Sequence, residues 1–131
     1  MIVSKETVIL GTLLRLLKTK PIVLTVTSKM GHVQLLNEIA RGLQVEPHRC
    51  AGTTHERIFR ELLSRPRDIH IAGAHHLTSM ALELLLDLWD ETKLTGPRKA
   101  IRIVMCGKNG FVRRIASRHP QLAERVIVPF G

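Results

Sequence analysis

Apolar residues follow two alternating rhythms along this chain. Residues 22–27 (IVLTVT) are β-branched and apolar, the pattern of a buried strand. From Gly31 to about Leu43, the positions Leu35, Leu36, Ile39 and Leu43 share one helical face. Residues 47–53 (PHRCAGT) read as a weak short strand, and 54–64 as a helix with Thr54 as its candidate cap. A strand over 68–74, a strongly apolar helix over 78–93 and a turn at Gly96 and Pro97 come next. The series closes with a strand over 100–106, a helix over 109–117 that stops before Pro120, and a strand over 125–130. Ahead of all this, 4–19 read as a helix, with Ser4 placed to cap it and Pro21 beyond its end.

Strands alternating with helices predict right-handed crossovers and a mostly parallel sheet. The expected fold class is therefore α/β: a three-layer sandwich around a parallel sheet of about five strands. With 131 residues there is room for one domain, taken as 1–131, with an N-terminal helix over 1–20 and the sheet-and-helix core over 21–131. Helix 78–93 is apolar almost all round, through Met80, Leu82, Leu84, Leu85, Leu86, Leu88 and Trp89. An intramolecular core explains this most simply, with self-association as the other use of such a surface.

Composition narrows the function classes. Aromatic residues are 3% of the chain, so the core is aliphatic and a base-stacking platform for single strands is excluded. Twenty Lys and Arg against eleven Asp and Glu give a net charge of +9, a balance that favours phosphate-bearing partners. Cys50 and Cys106 form no CxxC pair and no disulfide framework. No signal-peptide pattern and no membrane-length apolar run is present, so the expectation is a cytoplasmic protein without a membrane partner.

Ligands of parallel sheets bind beyond the carboxyl ends of the strands, which directs attention to the strand-to-helix loops. The loop 26–33 (VTSKMGHV) has the context of a phosphate-binding loop but not its residues. Set on the frame GxxxxGK[ST], only Gly31 is retained. His32 stands for the lysine and Val33 for the metal-holding hydroxyl, while Lys29 lies inside the loop at a different position. After the third strand, Ala72 and Gly73 stand where a nucleotide hydrolase carries an acid for Mg²⁺ and an acid that polarises water. Without a lysine and a cation ligand, the charge of a transferring phosphoryl group is not offset, so no catalytic residue is assigned. Weak ATP or phosphate binding at the helix N-terminus near Gly31 stays open, with no cofactor expected.

Several segments resemble a known family. GAHHLTSMALELLLDLWDET is similar to the DEAHHL…ALELLRDLWDET stretch of the AAA+ ATPases that assist bacterial transposases, the TniB/TnsC and phage Mu B group. LLNEIARGL resembles the helix after their Walker A loop, VMCGKNGFVRRI their sensor strand and loop, and HPQLAERVIVPF the approach to their last core strand. The resemblance runs in order over about residues 5–131. It implies a P-loop NTPase-like core, here without the helical lid, and with both Walker motifs stripped. It places Asn109 near the sensor position, so Lys29, Gly31, His32 and Asn109 make up a remnant nucleotide pocket. It also puts Arg125 where an arginine finger would serve a neighbouring subunit; an ordinary ion pair with Glu124 is the plainer use of that residue.

The resulting expectation is a non-catalytic, degenerate AAA+-like domain that is DNA-associated or modulates assembly of a transposition-type ATPase. Arginines and lysines cluster at Arg57, Arg60, Arg65 and Arg67, at Arg98, Lys99 and Arg102, and at Arg113, Arg114 and Arg118. Of these, Arg57, Arg60, Arg98, Lys99, Arg113 and Arg114 are the expected contacts to a phosphate backbone. One alternative is an ATP-binding subunit completed by a partner, a related AAA+ chain or a second copy. Another is a zinc module using His32, His55, His75, His76 and Cys106. A Cys106–histidine hydrolase is weaker, since no third residue is evident to orient the pair.

Overall fold

A computed structural model describes residues 2–4, 20–95, 101–108 and 110–119. The elements run β1 (Ile2–Ser4), β2 (Ile22–Thr25), α1 (His32–Gly42), α2 (Ala51–Ser64), β3 (Ile69–Ala72), α3 (Ser79–Leu94), β4 (Ile103–Cys106) and α4 (Phe111–Arg118). The sheet is parallel throughout and ordered β1-β4-β3-β2. β2, β3 and β4 form its body, and the three-residue β1 is added beside β4. The fold is therefore α/β with a parallel sheet, as expected, with four strands among the described residues where about five were predicted.

Three expected assignments change. Ser4, expected to cap a helix, ends a strand paired with β4; residues 5–19 lie outside the described ones, as does the strand expected at 125–130. Residues 47–53 are not a strand, because α2 already begins at Ala51, with Cys50 at its cap position. Thr54 is not the cap either. It is fully buried one turn into the helix, where its hydroxyl accepts the His48 N–H at 2.9 Å and lies 3.0 Å from the His48 carbonyl. That hydroxyl folds the 48–50 segment back onto α2 and removes it from the sheet. Thr54→Val keeps the shape and loses both bonds; a loss of about 1 kcal/mol in a denaturant titration is expected.

The core lies where the patterning put it. Ile22, Leu24, Ile69, Ile71, Ile103 and Met105 face Leu35 and Ile39 of α1, Ile58 and Leu62 of α2, and Leu82, Leu85 and Leu88 of α3. The steps β2 to β3 and β3 to β4 move the same way across the sheet, so right-handed crossovers place α1, α2 and α3 on one face. All the leucines of α3 up to Leu88 are buried within the chain; Trp89 is partly buried, and Met80 and Leu94 near the ends are exposed. At the lower end of the sheet, Asp68 accepts the Arg102 N–H at 2.9 Å and ties the start of β4 to the start of β3.

Candidate functional site

Three loops meet at the carboxyl ends of the strands. The chain leaving β2 does not curl into an anion cradle. It runs beside the segment leaving β3: Val26 N–H donates to the Ala72 carbonyl, Met30 N–H to that of His76, and Thr78 N–H to that of Met30. β2 is an outer strand of the described sheet, so the loop 26–33 lies at the sheet's flank. Gly31 caps α1 without a side-chain bond, His32 is the first residue of that helix, and Lys29 is exposed between them and β2. Asn109, the fourth residue assigned to the remnant pocket, lies outside the described residues.

The turn after β3 is tighter. Ala72 is buried, and Gly73 adopts a left-handed conformation with φ of 74°. A Cβ at Gly73 would run into the Val26 carbonyl oxygen, so the strapping of the two loops depends on the absent side chain. A short 3₁₀ turn over Ala74–His76 follows, and Thr78 then caps α3 by accepting the Ala81 N–H at 3.3 Å.

α4 closes the site from the β4 side. Gly110, at φ 93°, starts it, and Arg114 reaches across to donate to the His75 carbonyl at 3.0 Å and the Leu77 carbonyl at 2.6 Å. His75 accepts the Lys108 N–H on Nδ1 at 3.3 Å, so in the neutral ring the proton sits on Nε2. Burial, with the nearby His76, Lys108 and Arg114, holds His75 below its ordinary pKa and keeps it neutral near pH 7. Between these loops lies an open cleft of about 450 Å³, lined by Lys29, His75, His76, Leu77, Thr78, Ser79, Arg114 and Arg118.

The other expected residues are dispersed. Arg57 and Arg60 share the exposed side of α2, but Arg57 donates to the Glu46 carbonyl and Arg60 pairs with Glu56 at 2.6 Å. Arg113 is exposed on α4, whereas Arg98, Lys99 and Arg125 lie outside the described residues. The histidines do not assemble as a zinc module requires. His55 pairs with Glu91 across α2 and α3 at 3.1 Å, away from His75 and His76, whose rings stack at 4.0 Å. Among the described residues, no three His, Cys, Asp or Glu side chains are grouped to hold a metal ion. Arg118 has a place in the cleft that its cluster alone did not reveal; the readable signal was its spacing of four from Arg114, which puts both on one helical face.

A solved structure, that of Cdc6p from Pyrobaculum aerophilum, is similar to this chain with a TM-score of 0.69. The match covers 97% of this chain and 38% of that one, at 19% sequence identity. Cdc6p is an AAA+ ATPase of the P-loop NTPase superfamily. The two share a fold, an α/β core around a parallel sheet. This chain thus spans about 38% of the length of the AAA+ protein it matches. No protein-family model and no curated protein sequence matches it. Among the described residues, no helix is long and apolar enough to cross a membrane.

Proposed function

We propose that this chain is a non-catalytic, degenerate AAA+-like domain that associates with DNA through its phosphate backbone and works beside a transposition-type ATPase. The observation that carries the non-catalytic reading is the corner after β3. Ala72 offers no ligand for a cation, and Gly73 has no room for an acidic side chain beneath the Val26 carbonyl. Phosphoryl transfer depends on placing charge against the moving phosphate, and this corner supplies none. The surplus of basic residues supports the DNA half, and the AHHL and LDLWDET segments support the transposition half.

One pair of measurements tests the reading. Purified protein with ATP and Mg²⁺ is expected to release no phosphate above buffer and to gain no more than a degree or so in Tm. A gain of several degrees would point instead to a nucleotide-binding subunit completed by a partner. Duplex binding is expected to be independent of sequence and to weaken by roughly a hundredfold or more between 50 and 200 mM salt. Binding that ignores salt, or none at low salt, removes DNA from the assignment.

A further inference from the structure

Of the three Lys and Arg side chains that line the cleft, one is already engaged, as are both arginines of α2. Arg114 is held by two carbonyls, Arg57 by the Glu46 carbonyl and Arg60 by Glu56. Lys29 and Arg118 differ: among the described residues neither side chain has a hydrogen bond or ion pair, both are exposed, and both line the same cleft. They come from different elements, Lys29 from the loop after β2 and Arg118 from the last turn of α4. Like charges lining one cleft are mutually unfavourable until an anion joins them.

The rest of the lining suits the same chemistry. No carboxylate lines the cleft among the described residues. The start of α3 lines it too, a helix of 16 residues whose dipole favours negative charge and whose Ser79 and Met80 N–H groups have no intrahelical acceptor, that of Ala81 being held by the Thr78 hydroxyl. Ser79 adds an exposed hydroxyl. Arg114 forms a fixed positive wall, because its two carbonyl bonds hold the guanidinium in place and leave further donors unused. His75 Nε2, which carries the ring proton, is buried and lacks a hydrogen-bond partner among the described residues.

We propose that this cleft seats a phosphate of a nucleic-acid backbone, with Lys29 and Arg118 as its ionic contacts and the α3 N-terminus and Ser79 as hydrogen-bond donors. The proposal rests on the DNA-associated reading and gives it a location, at the loops rather than on the α2 arginines. Contacts of this kind fix position without reading sequence.

Anisotropy of a fluorescein-labelled duplex of about twenty base pairs, at about 50 mM salt, tests it on the full chain. Lys29→Gln/Arg118→Gln is compared with Arg41→Gln/Lys93→Gln, which removes the same charge from the last turns of α1 and α3. Both pairs are exposed, and circular dichroism should show both variants folded. The cleft variant is expected to bind at least about tenfold more weakly, with its salt slope reduced by about two, and the control variant to change by less than about threefold. Equal weakening of the two variants reduces the effect to net charge and overturns the proposal, as does an indifferent cleft variant. In either case the DNA reading survives. A wild-type chain that binds no duplex defeats both. A last arm adds inorganic phosphate at matched ionic strength. If it raises the Tm of the wild type but not of the cleft variant, while duplex affinity ignores the cleft, the site belongs to a small free anion and the backbone assignment is overturned.

Discussion

Gly73→Ala should destabilise the protein by about 3 kcal/mol or more, lowering Tm by roughly 10 °C in a thermal melt. Two effects combine. A left-handed backbone costs an ordinary residue about 1–2 kcal/mol. The added Cβ also meets the Val26 carbonyl oxygen, which is part of the backbone and cannot swing aside. Gly73→Asn separates the two, because asparagine tolerates the left-handed region but brings the same Cβ. If Asn restores most of the loss, the conformational term dominates and the close approach is unimportant. If Asn is as damaging as Ala, the carbonyl contact decides. The same contact governs attempts to rebuild a hydrolase. Ala72→Asp/Gly73→Glu puts the missing acids at the positions implied by the resemblance, and the expected result is a loosened protein, still without ATP turnover.

His70→Leu should have the opposite sign, stabilising the chain by about 1–3 kcal/mol at pH 7. His70 is fully buried in β3, and neither ring nitrogen has a hydrogen-bond partner among the described residues. Burial holds its pKa below the ordinary value; the Arg102 charge acts in the same direction and Asp68 against it. The unfolded chain therefore takes up a proton near pH 6.5, where the folded protein still refuses it. Stability is complete above that pH and is lost as pH falls toward the depressed folded value. Chemical denaturation at pH 7.5 and at about pH 5.5 should show a decline in the wild type that is smaller in His70→Leu. A residual slope is expected from His75, which is shifted the same way. An unchanged slope would mean that His70 has an acceptor in the folded protein.

Strand and helix positions were legible wherever burial set the period. IVLT, IHIA and IVMC are short apolar runs inside the sheet, and Leu35, Leu36 and Ile39 share the inward face of α1. The errors fall where one side chain redirects the backbone. Thr54 has the right composition for a cap and is instead a buried tether. Residues 2–4 gave no pattern of their own, because pairing with a strand far along the chain decides their conformation. The candidate site was legible as a set of loops but not as a group of contacts. The P-loop frame drew Lys29, Gly31 and His32 together, yet strand order leaves that loop at the flank of the described sheet. Arg114 and Arg118 were visible as charges, while the bond of Arg114 to the His75 carbonyl and the place of Arg118 in the cleft required the third dimension.

The pairing of β1 with β4 has a consequence for how the molecule assembles. Ile2 lies opposite Val104, so β1 finds its neighbour only after about a hundred further residues have been added. During synthesis β1 must wait unpaired with β4 until that strand has been made. Closure of that long loop is entropically costly and comes late. The slowest phase of refolding is therefore expected to report on contacts at β1, whereas the β2-to-α3 portion, rich in neighbouring contacts, gathers first.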